Sequence, residues 1–187
     1  AKRAGADAVK FQCFGPEALA AKRVNVIWHG VPMAYAQLVR LYQATHTPKA
    51  WYPEMIKCCA DVGIAWFASA FSPDDVALLE TMDCPRYKIS AYEMLDGDLI
   101  NAIVKTGKSI IMSVRPTERV TILEATDYGG NLIPLGLSDH SPAGSTCAHE
   151  GRPMIERHLM LADVPNEDQE FSSTPDEFAE YVRAIRD

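Results

Sequence analysis

Two lysines stand where lysines are costly. Lys10 lies in AVKFQ and Lys88 in RYKISA, both otherwise strand-like runs, and an ammonium taken out of water needs an anion or carboxylate beside it. Ser69, Ser113 and Ser138 occupy the polar ends of further apolar runs. With the lysines as point charges and the hydroxyls fixing orientation, the five could cradle a phosphate. Either lysine alone could equally snorkel or pair with a core acid; two in like settings favour a shared anion. A second chemistry is offered by His140, which follows Ser138-Asp139, and His158 in IERHLM. Imidazole suits borderline divalent metals, and two imidazoles with a carboxylate and water leave positions open for a substrate oxygen. The pair lacks any diagnostic spacing, so from spacing alone two structurally satisfied histidines is the stronger reading. His29, His46 and His149 lie in polar stretches and read as solvated. Asp74-Asp75 and Asp96 to Asp98 read as helix N-terminal charges, and Trp51, Trp66 and Phe67 as core.

These residues must be carried by strands and helices in alternation. A helix tail stopped by Gly5 precedes a buried strand from about Asp7 to Gln12. A loop carrying PEALAAKR follows, then Trp51, Met55, Cys58, Cys59 and Val62 at helical spacing, with Thr47-Pro48 as cap and Gly63 as stop. IAWFASAF predicts a strand, SPDDVALLETMD a helix capped by Ser72, RYKISA a strand, LDGDLINAIVKTG a helix and SIIMSV a strand. Such alternation predicts parallel strands with helical crossovers, covered on both faces. The polar strand ends then share one rim, where barrels and open α/β sheets place their sites; Gln12, Glu93, Thr126 to Tyr128 and Glu156 join the residues above. After Val114 the rhythm breaks. VTILEAT and LIPLGLSD both read as strands, yet only short connectors precede them, and parallel neighbours need about a dozen residues of crossover. Either these strands are joined differently or two helices are missing, and missing segments is the favoured expectation. PMIERHLM predicts a last strand and TPDEFAEYVRAIRD a final helix, with Thr174 as cap and Pro175 at its first position.

With 187 residues, 48% hydrophobic and 23% charged, the chain is long enough for one sizeable core. A net charge of -7 provides no basic face for nucleic acid or anionic lipid. No apolar run approaches the roughly 18 residues that span a bilayer, and no charged-then-apolar leader opens the chain, so a cytoplasmic protein is expected. The five cysteines form no CxxC pair, which argues for reduced thiols rather than a zinc ribbon or disulfide framework.

The stretches AGADAVKFQ, TPKAWYPEMIKCCADVGIAWFASAFSPDDVALLE, PRYKISAYE, TGKSIIMS, GLSDHS, IERHLML and EDQEFSSTPDEFAEYVRAIR, in this order from Ala4 to Arg186, resemble the phosphoenolpyruvate-dependent sialic acid synthase family, the N-acetylneuraminate and pseudaminate synthases. LYQATHTP looks closer to the pseudaminate branch. The resemblance implies a TIM-type (β/α) barrel, here incomplete, with the first strand and two helices missing. It implies a single synthase barrel domain over residues 1–187, without the C-terminal antifreeze-like domain that in relatives reaches a partner's site with an arginine. It further implies condensation of phosphoenolpyruvate with an N-acetylated amino-sugar aldehyde to a nonulosonic acid, with phosphate released, in a homodimer when full-length. By resemblance Lys10, Ser69, Lys88, Ser113 and Ser138 bind the donor, His140 and His158 hold a divalent metal (manganese first, magnesium or cobalt next), and Glu93, Lys88 and Asp168 are catalytic. Gln12 and Glu156 line the site, and Tyr128 falls near a sugar-contacting position.

The chain departs from the family pattern in several places. Ala91 stands where a serine is expected after Lys88, RPT replaces TGM after Ser113, EATDYGG replaces a longer HCTS-YP segment, and NEDQ replaces GPDH before Phe171. Ala91 and the rewritten loops motivate one alternative, a non-catalytic barrel derivative serving as a binding or assembly module; a second is a synthase of another 3-deoxy-2-keto sugar acid, which would use a phosphorylated pentose or tetrose.

Overall fold

The computed structural model describes residues 1–23, 26–28, 31–114, 117, 120–126, 132–142, 151–164 and 166–186. A 3₁₀ turn at Lys2–Ala4 ends at Gly5, whose φ of 93° suits a residue without Cβ, and leads into β1 (Ala8–Cys13). There follow α1 (Pro16–Ala21), a two-stranded ribbon of β2 (Ile27–Trp28) and β3 (Val31–Pro32), α2 (Tyr35–Thr45) and α3 (Tyr52–Val62). The next elements are β4 (Ala65–Ala70), α4 (Pro73–Glu80), β5 (Tyr87–Ile89), α5 (Gly97–Lys105) and β6 (Ile110–Val114). Then come β7 (Val120–Thr126), β8 (Leu132–Asp139), β9 (Met154–Leu159), β10 (Ser172–Ser173) and α6 (Pro175–Arg186).

One eight-stranded sheet runs β1-β4-β5-β6-β7-β8-β9-β10. It is an incomplete α/β barrel, as the sequence led us to expect, with β1 and β10 as its edges. From β1 to β6 every pairing is parallel. The strands alternate strictly between faces. Phe11, Ala68, Ala70, Tyr87, Ile89 and Ile110 face outward into a core completed by Tyr52 of α3, Val76 and Leu79 of α4, and Leu99 and Ile103 of α5. Their sequence neighbours face the interior, where Phe67, Ile111 and Leu123, with Leu135 and Met154, form an apolar plug.

The caps follow the sequence with local exceptions. Ser72 accepts from the Asp75 amide, Asp96 from the Leu99 amide, and Thr174 and Glu177 bond each other's backbone N–H reciprocally. The α3 start lies further on than expected: Lys49–Trp51 is a 3₁₀ turn, so Pro48 opens that turn and Pro53 sits in the first turn of α3. PEALAAKR is not a loop, because a first-turn proline and a run of alanines make α1. Trp51 is 60% exposed rather than core, since it precedes the helix whose face packs inward.

The second half departs from parallel expectation. β7 is antiparallel to both β6 and β8, while β8, β9 and β10 are mutually parallel. The connectors at 115–119 and 127–131 are too short for crossovers, so the chain turns back on itself. Thr117 accepts the Val120 amide on its Oγ1 and donates its own amide to the Val120 carbonyl as β7 begins. The expectation that Thr126 shares the site rim therefore fails: Val120 pairs with Asp139 at that rim and Thr126 with Leu132 at the opposite one. Tyr128 lies outside the described residues. Register slips between Leu123 and Glu124, where β8 accommodates the extra residue Leu135. β8 then approaches β9 so closely at Gly136 that a Cβ there would fall 1.8 Å from the Met154 carbonyl oxygen. Among the described residues, no helix is long and apolar enough to cross a membrane.

Candidate active site

Inward-facing positions just above the apolar plug bring the two lysines together. Glu156 Oε1 accepts from Lys10 Nζ at 2.9 Å, Lys88 Nζ at 2.5 Å and Ser138 Oγ at 2.9 Å. These side chains come from β1, β5, β8 and β9, so the cluster draws on both halves of the sheet. Burial alone would raise the Glu156 carboxyl, but the Lys10 and Lys88 ammonium groups hold it well below the usual carboxylate range. Burial, with Lys10 beside it, pushes the Lys88 amine down to about 8, against the opposing pull of Glu156. Two cations and one carboxylate leave an excess positive charge in a low-dielectric setting, a place prepared for a further anion. Glu156 Oε2 is buried without a hydrogen-bond partner among the described residues.

Serines border this cluster. Ser69 is buried and stands in register between Gln12 and Lys88; Ser113 is buried on β6 opposite Leu123. Gln12 and Lys10 line a cavity of about 1290 Å³ that opens between β1, β9 and α6 and also reaches Glu156, His158 and Asp168.

The histidines converge at the same rim. The His140 and His158 ring centroids are 5.4 Å apart, and Phe171 meets both edge-on, at 5.4 and 5.0 Å. Asp168 Oδ2 lies 3.2 Å from His158 Nδ1, and this hydrogen bond holds the Asp168 carboxyl down against the burial that opposes it. Burial and the neighbouring His158 ring push His140 down to about 4, so its imidazole is neutral at pH 7, the form a metal requires. A carboxylate on one ring nitrogen leaves the other for a cation, the arrangement that orients metal-ligating histidines. Two imidazoles, one neutral and one oriented by a carboxylate, are donors of the type that divalent ions take. Among the described residues no group of three or more His, Cys, Asp or Glu forms a metal-holding cluster.

On the outer face of the same strands, Asp139 and Arg157 stand in register and form a buried network. Tyr181 Oη donates to Asp139 Oδ2 at 2.7 Å, Arg157 Nη1 lies 3.4 Å from that oxygen, and Arg157 Nε donates to Ser173 Oγ at 3.1 Å. Each of these charged residues directly precedes a histidine, so the network ties α6 to the two strands that carry the imidazoles. Alternation along SDH and ERH, which turns Asp139 and Arg157 away from the inward-facing donors, is the sequence signal of this pairing.

Glu93 stands apart from the lysine cluster's hydrogen bonds. It is 1% exposed, and its carboxylate accepts from Arg23 Nη2 and Ser90 Oγ, while the Arg23 guanidinium lies 5.2 Å from the Tyr92 ring centroid. Arg23 was not anticipated; its signal is a cation closing PEALAAKR. Thr121 was also missed, because the reversal of β7 sets it opposite Ser138. His46 hydrogen-bonds the Gln43 carbonyl through Nδ1, whereas His29 and His149 lie outside the described residues.

The comparisons with known proteins agree with this architecture. Pseudaminic acid synthase of Helicobacter pylori is 30% identical over 99% of the chain, and that of Campylobacter jejuni (serotype O:2) 29% identical over 100%. The chain spans 66% of the length of each of these relatives. The Campylobacter match counts 226 positions, 39 more than the 187 residues here, so segments within the matched span have no counterpart in this chain. Among solved structures, an N-acetylneuraminic acid (sialic acid) synthetase from Leptospira borgpetersenii, in complex with citrate, shares the fold. Its TM-score is 0.73 at 17% identity, covering 98% of this chain and 73% of that one. The NeuB family model matches residues 1–128 and 115–187, and with every stretch that carried the resemblance inside those matches, the chain belongs to the NeuB family.

Proposed function

We propose that this protein condenses phosphoenolpyruvate with the open-chain aldehyde of an N-acetylated amino sugar, giving a nonulosonic acid of the sialic or pseudaminic type and releasing phosphate. The observation that carries the reading is the convergence of two ammonium groups, buried Lys88 and half-buried Lys10, on one carboxylate oxygen beside a pair of neighbouring imidazoles. The first feature suits a donor bearing both phosphate and carboxylate; the second suits an aldehyde that must be made electrophilic.

In this mechanism Lys10 and Lys88, with Ser69, Ser113 and Ser138, hold the donor's anionic groups by charge-assisted hydrogen bonds. A divalent ion at His140 and His158, manganese first, would supply Lewis-acid polarisation of the aldehyde oxygen. Donor C3 forms a bond to the aldehyde carbon, water adds at donor C2, and the C2–O bond breaks so that phosphate leaves with its bridging oxygen. Glu93, held in place by Arg23 and Ser90, and Asp168, held by His158, are the carboxylates available to stabilise positive character at C2 and to accept protons. Gln12 and Glu156 complete the pocket wall, and the resemblance assigns sugar contact to Tyr128. We extend the proposal to a cytoplasmic setting and to a homodimer in the full-length form.

The test is phosphate release from phosphoenolpyruvate with manganese and a panel of N-acetylated hexosamines, including 2,4-diacetamido sugars. Release above background only when one of these acceptors is present supports the reading. Release with a phosphorylated pentose or tetrose instead would make the protein a synthase of another keto sugar acid. No release with any acceptor would leave the binding-module alternative.

A further inference from the structure

We propose that Thr121 is an anion-binding residue of this site, its hydroxyl donating to an oxygen of the donor held between Lys10 and Lys88. The inference rests on the reading of the lysine pair given above and extends it to a residue that only the reversed strand brings to the site.

Had β7 run parallel to its neighbours, its last residues would have met the rim. Because it runs the other way, its first residues do, and Thr121 pairs directly with Ser138. Residues directly opposite in an antiparallel pair share a face and lie about 5 Å apart at Cβ. Ser138 faces the interior, since its Oγ bonds Glu156 Oε1 at 2.9 Å. Two residues along β7 on the same face, Leu123 packs into the interior plug with Phe67 and Ile111. Both neighbours therefore point Thr121 inward, and it is 7% exposed. Thr121, Ser138 and Glu156 form a row across β7, β8 and β9, and Ser113, opposite Leu123, lies diagonally beside it. A hydroxyl is a costly choice for such a position unless it finds an acceptor.

Calorimetric titration of the full chain with phosphoenolpyruvate, and separately with inorganic phosphate, tests this. Thr121→Val keeps shape and β-branching but removes the donor, and it should weaken phosphoenolpyruvate binding by about tenfold or more, the size of a hydrogen bond to a charged group. Thr121→Ser should stay within about twofold of the unaltered protein, because it keeps the hydroxyl. Thermal melting of each variant shows that it is folded; if Thr121→Val is not, Thr121→Ala, which removes the same donor, is read by the same tenfold criterion. Binding by folded Thr121→Val within twofold of the unaltered protein would overturn the assignment. Lys88→Ala separates this from the reading beneath it. If its loss is also absent, the lysine pair does not hold the donor and both ideas fall; if Lys88→Ala loses binding and Thr121→Val does not, only the role of Thr121 falls. An effect on phosphoenolpyruvate without one on inorganic phosphate would place the hydroxyl at the donor's carboxylate.

Discussion

The two halves of the sheet are built by different rules. From β1 to β6 all neighbours are parallel, with helices α3, α4 and α5 packed on the outer face. From β6 to β8 the chain makes a meander of short connections with one strand reversed. Yet the candidate site takes Lys10 and Lys88 from the first half and Ser138, Glu156, His140 and His158 from the second. A pocket of this kind thus depends on which side chains reach its layer from each strand, and the direction of one wall strand can change without dispersing them.

The sharpest way to break that comparison is to disable each half separately. Lys88→Ala and His158→Ala should each cut phosphate release by about 10³-fold, the scale of removing one preorganised electrostatic contact. Near-normal turnover by either variant would mean that the site does not straddle the halves. Stability should divide just as plainly. Leu79 and Leu99 are fully buried between helix and sheet, whereas Ile133 of β8, at the rim opposite the site, is half exposed. Leu79→Ala or Leu99→Ala should cost about 2–5 kcal/mol by urea denaturation, and Ile133→Ala no more than about 0.5 kcal/mol. Equal costs would show that the meander carries as much of the core as the helical half.

A finer probe concerns the contact that binds α6 to the histidine strands. Tyr181→Phe removes the hydrogen bond to the buried Asp139 carboxylate and should cost about 1.5–3 kcal/mol; a neutral result would assign the anchoring to Arg157 alone. A pH effect is expected at the junction. Lys88 has a folded pKa of about 8 against an ordinary 10.5, so between these values the unfolded chain binds more protons and stability rises with pH. The penalty is present in full below pH 8 and fades by 10.5. Folded Lys88→Met protein should lack this rise, on the order of 3 kcal/mol, when its denaturation curves are compared with the unaltered protein's. Parallel curves for the two proteins across that range would show that the amine is not depressed.

The first half was largely legible because each signal was local: an apolar run of strand length, a Ser72 or Asp96 cap, a Gly63 stop. The inward and outward faces of AVKFQ and RYKISA followed from alternation alone, and so did the isolation of Lys10 and Lys88. That both amines would meet on a single oxygen of Glu156 was not readable, because it depends on strand order across 146 residues of sequence. Short connectors around VTILEAT did announce an irregularity, but connector length cannot distinguish a reversed strand from an absent helix. The histidines were legible as a pair only through resemblance. Phe171, which meets both rings, and Arg23, which reaches Glu93, carry no periodic mark.

The reversed strand also bears on the order in which structure is acquired. β6, β7 and β8 are joined by five-residue connectors, whereas β1 must find β4 across the whole segment from Cys13 to Ala65. Closing a short loop takes on the order of microseconds or less, and distant pairings are slowed by the chain entropy they remove. The three-stranded meander is therefore expected to be the early-forming template onto which the lysine-bearing strands later zip. Pulsed hydrogen exchange during refolding that found β1 amides protected before those of β7 would refute this sequence of events.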